Sequence, residues 1–279
     1  MRRALSLIVA AVIATAAFGQ TVLDGAYIRE HAATRRTVPY VHLREGDVQW
    51  HRRVWRTIDL RQMLNLALYY PTVPTNGRKS LFDAIMGAVR DGGVNVYHPG
   101  VLLQDDDFRR VMTTDERTNL LERSDTIQTA SLENPDSSIS VVTTTSLTSD
   151  QVTRYRLKED WHFDKQRGKV DIRIIGLAPM REVRSESGEI LGHAPLFWLY
   201  YPELRYYLAN QEVFTSGNEA QRITFEQVFT KRRFASTIDK VTNVHDRGSA
   251  AYLSGMDALL AGERIKHDLF AYEHDLWKW

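Results

Sequence analysis

The sequence predicts an α+β fold, in which central antiparallel strands are flanked by helices and preceded by an extended N-terminal arm. Residues 170–174 alternate apolar and charged side chains, which is the period of a half-buried strand. Residues 196–201 are the most apolar run of the C-terminal part and predict a buried strand paired with that one. Apolar residues within 80–91 and within 265–276 instead follow the helical period. Helices that flank one group of strands indicate the α+β class.

The ends of the predicted helices carry capping signals. Gly92 and Gly93 supply a C-terminal stop for the helix over 80–91. Residues 113–116 and 224–227 read as capping boxes that open two more helices. The apolar positions between Val48 and Ile58 fit neither the helical nor the strand period, so the sequence leaves the structure of this segment open.

Composition excludes several classes of protein. The chain has 279 residues, 36 basic against 35 acidic side chains, and no cysteine. Without cysteine there is no disulfide scaffold, zinc knuckle, iron–sulfur site or thiol nucleophile, and no cysteine that a lipid could modify. A net charge of +1 argues against nucleic acid as a partner. We therefore expect no cofactor, no metal and no direct lipid anchor.

The N-terminus has the three parts of a secretory signal peptide over residues 1–19. Arg2 and Arg3 precede an uncharged run over 4–18, and cleavage between Gly19 and Gln20 would follow small residues. An N-terminal membrane anchor is the alternative, but a membrane span needs about 20 residues. Removal of the two arginines leaves 34 basic against 35 acidic residues, a net charge of −1.

The exported chain divides into four predicted segments. An extended arm covers 20–46 and an α-rich N-terminal half covers 47–124. A Ser/Thr-rich linker or edge hairpin covers 125–153, because nine of the fourteen residues at 136–149 are Ser or Thr. A C-terminal α+β half covers 154–279.

No catalytic or metal-binding frame stands out. The chain lacks the nucleophile elbow, the phosphate-binding loops and the His-Glu-x-x-His pattern. His267 and His274 lie two helical turns apart, roughly 10 Å, which is too far to chelate one ion. Residues 105–107 resemble the start of a calcium loop, but Arg109 and Arg110 occupy positions that calcium binding forbids, so a solvated acidic turn is expected.

Two hypotheses of other classes stay open. Asp160, His162 and Asp164 alternate, so on a strand they would share one face and form the dispersed site of a secreted hydrolase. Such a site predicts a deep apolar pocket near His162. A monomeric periplasmic ligand-binding protein predicts instead a cleft between residues 20–125 and 150–279.

The segment 50–56 interleaves tryptophan with arginine. This pattern can stack bases, although the charge balance and the expected export oppose nucleic acid. A core helix with a basic outer face and a protein–protein hot spot are the other interpretations.

Blocks of sequence in a fixed order resemble the GldN/PorN family. They run in order from about residue 38 to the C-terminus, and the quoted blocks cover the following ranges: 53–61, 68–71, 79–83, 158–167, 171–176, 195–198, 212–214, 264–266 and 273–277. The Ser/Thr-rich segment matches no family block.

The resemblance implies a non-enzymatic subunit of the periplasmic ring of the type IX secretion system, which also supports gliding motility. It implies as partners a GldK/PorK-like lipoprotein, further copies of this chain, and the periplasmic domain of a GldM/PorM-like motor protein. It places the protein in the periplasm, against the inner face of the outer membrane. Because a chain without its own anchor must use that of a partner, we expect attachment by protein contacts. The residues expected to bind partners are Val38, Tyr40, Val41, Leu43, Trp50, Arg53, Trp55, Arg56, Trp277 and Trp279.

Overall fold

The computed structural model describes residues 35–75, 77–100, 105–130, 138–185, 187–215, 218 and 221–276. The predicted signal segment, with its junction at Gly19 and Gln20, lies outside the described residues, as do Trp277 and Trp279. Residues 35–279 cluster as one compact unit.

The described chain contains nine strands and six α-helices, and six of the strands follow one another between α3 and α4. The strands are β1 (Val48–Asp59), β2 (Val96–Tyr97), β3 (Glu122–Ala130), β4 (Ser138–Ser146), β5 (Val152–Asp164), β6 (Lys169–Arg184), β7 (Ile190–Pro195), β8 (Trp198–Tyr200) and β9 (Thr237–Val241). The helices are α1 (Leu66–Tyr69), α2 (Leu81–Arg90), α3 (Thr114–Leu121), α4 (Tyr201–Leu208), α5 (Phe225–Thr230) and α6 (Gly255–Leu276). Among the described residues, no helix is long and apolar enough to cross a membrane.

Seven of the strands form one antiparallel sheet. Its order is β2-β8-β6-β5-β1-β9, and β7 pairs with β6 outside that path. β8 pairs with β6, as predicted from the apolar residues at 196–201 and the alternating residues at 170–174. The α+β class with central antiparallel strands is therefore confirmed, and residues 35–44, which precede the first element, contain neither helix nor strand.

The Ser/Thr-rich segment forms a hairpin of its own. β3 pairs with β4 in an antiparallel two-stranded sheet that does not join the seven-stranded one. Of the two alternatives for 125–153, the structure has a hairpin, although it is not an edge of the main sheet.

The segment 50–56 lies in β1, so the prediction that it forms a core helix is wrong. β1 is an inner strand between β5 and β9, and its register shifts after Val48 and again after Trp55. The first shift adds Gln49 to β1 and interrupts the strict alternation that marks a strand in sequence, whereas the second adds Asp239 to β9. Both faces of β1 also carry buried residues, because Val54 and Trp55 are both buried.

The predicted capping signals are present at three helices, and α2 carries an N-terminal cap that was not predicted. At the end of α2, Gly92 adopts a φ of 70° and the amide of Gly93 donates to the carbonyl oxygen of Ala88 at 3.1 Å. The hydroxyl of Ser80 accepts a 3.1 Å hydrogen bond from the amide of Asp83 at the start of α2. The predicted capping boxes join Thr113 to Glu116 before α3 and span residues 224–227 before α5. These side chains satisfy amides that the first helical turn leaves without partners.

The main core lies on one face of the sheet. Ile58 of β1 and Leu157 of β5 pack there with Leu81, Leu204 and Phe225 of the helices. This core crosses the boundary predicted at residue 154, so the predicted halves share one core and one sheet.

The C-terminal helix α6 closes a second, smaller core. Leu269 of α6 packs there with Val54, Ile238 and Val241. Gly262 brings the helix so close to β9 that a Cβ atom would lie 2.5 Å from the carbonyl oxygen of Ile238. Ile265 and Leu269, the first two residues of the predicted helical stripe, therefore pack in this second core.

Candidate functional site

Strand β1 divides the predicted partner-binding residues between two surfaces. Arg53 and Trp55 line a cleft on one face of the sheet, whereas Arg56 lines a groove beside α6. Because successive side chains of a strand point to opposite faces, this division follows from the strand itself. We call the two surfaces the Trp55 cleft and the Arg56 groove.

The Trp55 cleft measures about 1130 Å³ and is lined mainly by charged and aromatic residues. Trp55 is 5% exposed and packs against Ala178 and Trp198. In register, it lies between Lys158 of β5 and Lys240 of β9. The ammonium groups lie 5.9 Å and 4.3 Å from its ring centroid, within the range of cation–π attraction.

Lys158 is a buried charge inside the sheet. Its Nζ donates to the carbonyl oxygen of Asp106 at 2.7 Å and to the carboxylate of Asp106 at 3.0 Å. The indole nitrogen of Trp55 donates to the other oxygen of the same carboxylate. Asp106 is therefore a bound counterion, and the expectation of a solvated acidic turn is wrong for this residue. Sequence reasoning missed the pair because it joins residues 52 positions apart.

The loop that carries Asp106 is held by an aromatic anchor. Phe108 adopts a positive φ of 56° and contacts Tyr97, Trp198 and Tyr200 edge to face. A Cβ atom on Gly176 would lie 2.7 Å from the Phe108 ring. The absence of a side chain at that position is what admits the ring, so this wall of the cleft is built into the fold.

Ion pairs stabilise the rim of the cleft. Arg53 binds both carboxylate oxygens of Asp160, at 2.6 Å and 3.0 Å, and His51 lies 3.4 Å from the same carboxylate. Burial alone would raise the pKa of Asp160, but the hydrogen bonds and charge of Arg53 lower it below its ordinary value. Lys240 pairs with Asp246 at 2.6 Å on the opposite side.

The three residues of the hydrolase hypothesis form no site in the structure. Asp160 is engaged by Arg53, and Asp164 accepts hydrogen bonds from the amides of the following turn. His162 is 3% exposed, and burial lowers its pKa. None of the three is among the residues that line the Trp55 cleft or the Arg56 groove.

The Arg56 groove measures about 820 Å³ and is lined mainly by apolar surface. Arg56 is 8% exposed and donates through Nε to the hydroxyl of Ser236 at 2.9 Å. Beside it, Arg232 lies 3.0 Å from the fully buried carboxylate of Glu159. Burial lowers the pKa of Arg56, the charge of Glu159 opposes this effect, and the charge of Arg232 adds to it.

The predicted arm residues lie against the body at two points and are otherwise exposed. The Tyr40 ring lies 4.3 Å from the guanidinium of Arg205, and Arg173 donates to the carbonyl oxygen of Val41 at 2.6 Å. Val38 is 79% exposed and Leu43 is half-buried. The arm therefore presents apolar side chains to solvent while its backbone is tethered.

Trp50 touches the C-terminal helix. Its ring stacks on Tyr272 of α6 with centroids 4.8 Å apart. His267, which the sequence places too far from His274 to share a metal ion with it, lines the Arg56 groove. The described residues contain no cluster of three or more histidines and acids that could hold a metal ion.

The ligand-binding hypothesis predicts a cleft between residues 20–125 and 150–279, and the Trp55 cleft is lined by residues from both of these segments. Residues 50–55 and 105–109 line it together with Lys158 and Thr242. These segments belong to one sheet and its loop, whereas that hypothesis expects the cleft between two lobes.

Comparison with known proteins identifies the relatives of this chain. A family model described as "Gliding motility associated protein GldN" matches residues 43–278. No curated protein matches the chain. The match includes β1, both cleft walls, the Arg56 groove and all of α6.

Proposed function

The chain belongs to the GldN family of gliding-motility-associated proteins, and from this premise we propose that it is a structural subunit of the type IX secretion system and gliding machinery. In this proposal the protein forms part of a periplasmic ring and performs no catalysis. It binds a GldK/PorK-like lipoprotein, further copies of itself, and the periplasmic domain of a GldM/PorM-like motor.

The observation that carries the proposal is the family match over residues 43–278, which takes in the whole sheet. The surface chemistry supports a role based on contacts. Trp and Arg are enriched at protein–protein hot spots, and Trp50, Arg53, Trp55 and Arg56 surround two concave surfaces. The ion pairs that hold the Trp55 cleft in place keep it preformed.

A ring needs a contact between unlike surfaces of neighbouring copies. Such head-to-tail contacts close into a ring when the rotation between copies is constant. The exposed arm residues Val38 and Val41 are not among the residues that line the Trp55 cleft, and they offer an apolar surface, with Val41 48% exposed. We assign the arm to copy-to-copy contact and the cleft to a partner of another kind.

The secretory signal pattern over 1–19 and the lack of cysteine support a periplasmic location with a borrowed anchor. In this proposal the lipoprotein holds the protein at the inner face of the outer membrane. The motor then acts on the ring through contact alone.

Co-purification tests the proposal. Membranes are isolated from cells that produce the protein with and without the lipoprotein, extracted with mild detergent and separated by size. We expect membrane association and an assembly of many subunits only when the lipoprotein is present. A monomer that stays out of the membrane fraction in both cells would refute the ring subunit.

A further inference from the structure

The C-terminal helix α6 carries a second row of apolar residues, on the side that faces away from the sheet. Gly262 and Leu269 are buried on the sheet side, and Ile265 packs beside them. The opposite side carries six exposed residues at alternating intervals of four and three positions: Met256, Leu260, Glu263, His267, Phe270 and His274. At 3.6 residues per turn, this spacing keeps the six residues on one line along the helix. We call this line the outer seam of α6.

The apolar residues of the outer seam have no partner in the core of the protein. Met256 is 69% exposed, Leu260 is 48% exposed and Phe270 is 67% exposed. None of them belongs to a hydrophobic cluster in the described part of the chain. Apolar residues that alternate at four and three positions occupy the a and d positions of a heptad, which pack against another helix. The outer seam therefore has the pattern of a helix that pairs with a second helix.

A second copy of α6 in the antiparallel orientation completes the outer seam layer by layer. When a two-fold axis passes between Glu263 and His267, Leu260 lies opposite Phe270 of the second copy, and the reciprocal pair forms beyond the axis. Met256 lies opposite His274 of the second copy in the same way. Each layer then joins an a position to a d position, so the seam is complementary to itself.

The polar layer at the centre of the seam selects this orientation. Glu263 of each copy faces His267 of the other copy, so an imidazole N–H can donate to a carboxylate on both sides of the axis. In a parallel pair, Glu263 would face its own copy and two like charges would oppose each other. A shift in register would place Glu263 against an apolar side chain, which is costly. The charges of the seam therefore match a second copy in one arrangement.

We propose that the outer seam of α6 is a two-fold interface, at which two copies of this chain pair through antiparallel α6 helices. A two-fold contact uses the same surface on both copies, so it needs none of the arm residues assigned to the ring contact. The inference goes beyond the proposed function, because it requires neither the lipoprotein nor the ring.

The affinity of such a pair is expected to be modest. Interfaces below about 1,200 Å² are typical of weak complexes, and a single pair of helices makes a small interface. Arg264 and Lys266 flank the seam and lie near their own copies at the axis, which also opposes tight binding. We therefore expect a monomer–dimer equilibrium with a dissociation constant in the micromolar range.

Cysteine cross-linking tests both the contact and its orientation. Because the chain contains no cysteine, single cysteines introduced into it report the contact without background. The variants Leu260→Cys and Phe270→Cys are oxidised separately and after mixing. In the antiparallel pair these two positions face each other, whereas each lies about 15 Å along the helix from its own copy. We expect disulfide-linked dimers in the mixture and few in either variant alone.

Sedimentation velocity of the purified protein measures the dissociation constant. We expect Phe270→Glu to raise it about tenfold or more, because a charge enters two apolar layers of each dimer. Val244→Glu is the matched control, since Val244 is 99% exposed and lies outside α6, and it should keep the wild-type constant. Both substitutions fall at exposed positions, so both variants should fold.

The proposal is overturned if the wild-type protein stays monomeric at every concentration tested, or if Phe270→Glu dimerises as wild type does. It is also overturned if the mixed cysteine variants form no more cross-linked dimer than each variant alone, which would indicate a parallel or unspecific contact. A seam that binds a helix of another protein instead would leave the purified chain monomeric. Since no lipoprotein takes part, the two-fold pair can fail while the ring subunit stands, and the reverse also holds.

Discussion

The ammonium group of Lys158 donates a 2.7 Å hydrogen bond to the carbonyl oxygen of Asp106, so an inner strand of the sheet holds a loop that comes 52 residues earlier. The Lys158 side chain is 3% exposed and that of Asp106 is 16% exposed. Because neither group has free access to water, each relies on the other as its partner of opposite charge. The wall of the Trp55 cleft rests on this contact.

We expect Lys158→Met to destabilise the protein by about 2–4 kcal/mol, since it leaves a partly buried carboxylate and carbonyl without their donor. Urea unfolding measures the change. Lys165→Met, at an exposed lysine in the turn after β5, is the control and should stay within about 0.5 kcal/mol of wild type. Equal stability of the two variants would contradict the anchoring role.

Gly262→Ala tests the packing of α6 on β9, because free space and close packing predict opposite signs for the change in unfolding free energy. In a helix with free space, Gly→Ala stabilises by about 1 kcal/mol. Here the new Cβ would lie 2.5 Å from the carbonyl oxygen of Ile238, so we expect Gly262→Ala to destabilise by about 1–2 kcal/mol. Hydrogen exchange should show faster opening of α6.

Gly192→Ala is the control for this substitution, because no atom lies within 4 Å of the added group. Its unfolding free energy should change by less than about 0.5 kcal/mol. If Gly262→Ala stabilised the protein, the close packing of α6 on β9 would be disproved.

The helices show how far the sequence predicts the fold. Residues 81–89 have helical spacing and Ser80 caps them through the amide of Asp83, so local contacts alone specify α2. β1 escaped prediction because the extra residue after Val48 and the burial of side chains on both of its faces mask the strand period. Local pattern is therefore sufficient only where an element makes one uninterrupted apolar face.

The candidate site was also predicted only in part from the sequence. Trp55 and Arg56 were predicted from residue type, since tryptophan and arginine are typical of binding surfaces. Their partners were not, because Asp106 and Ser236 come from distant loops, 51 and 180 positions away. The separation of Arg53 and Trp55 from Arg56 onto two surfaces likewise required knowledge that the segment is a strand.

Two buried arginines should differ in what the loss of their charge costs. Arg205 is 5% exposed and donates to Glu226 at 2.8 Å, so Arg205→Met leaves a carboxylate without its ion-pair partner and should cost about 3 kcal/mol. Arg56→Met removes a hydrogen bond to the neutral hydroxyl of Ser236, and we expect a smaller loss of about 1 kcal/mol. Urea unfolding of both variants makes the comparison.

A loss of about 3 kcal/mol in Arg56→Met, equal to that in Arg205→Met, would contradict this difference between the two arginines.

His162 should make the protein sensitive to mild acid. Burial lowers the pKa of His162 from 6.5, and the charge of Arg173 adds to this effect. The unfolded chain therefore takes up a proton at a higher pH than the folded protein does. The contribution of the neutral His162 side chain to the free energy of unfolding is complete above pH 6.5. It is lost as the pH falls through the pKa of His162 in the folded protein.

Unfolding free energies measured from pH 7.5 to pH 5.5 test this dependence. We expect the unfolding free energy of His162→Gln to fall less over this range than that of wild type. The remaining fall is assigned to His193, since burial also lowers the pKa of His193. His42→Gln, at an exposed arm residue, should keep the wild-type pH dependence. A fall in His162→Gln as large as in wild type would exclude His162 as its source.

The central claim is that the protein works as one subunit of an assembly held by contacts. The most direct measurement is the mass of the detergent-extracted complex with the GldK/PorK-like lipoprotein, determined by light scattering after size separation. The account predicts one large species in which this chain and the lipoprotein occur in a fixed ratio and many copies. A mass equal to that of a single chain, with the lipoprotein eluting separately, would contradict it.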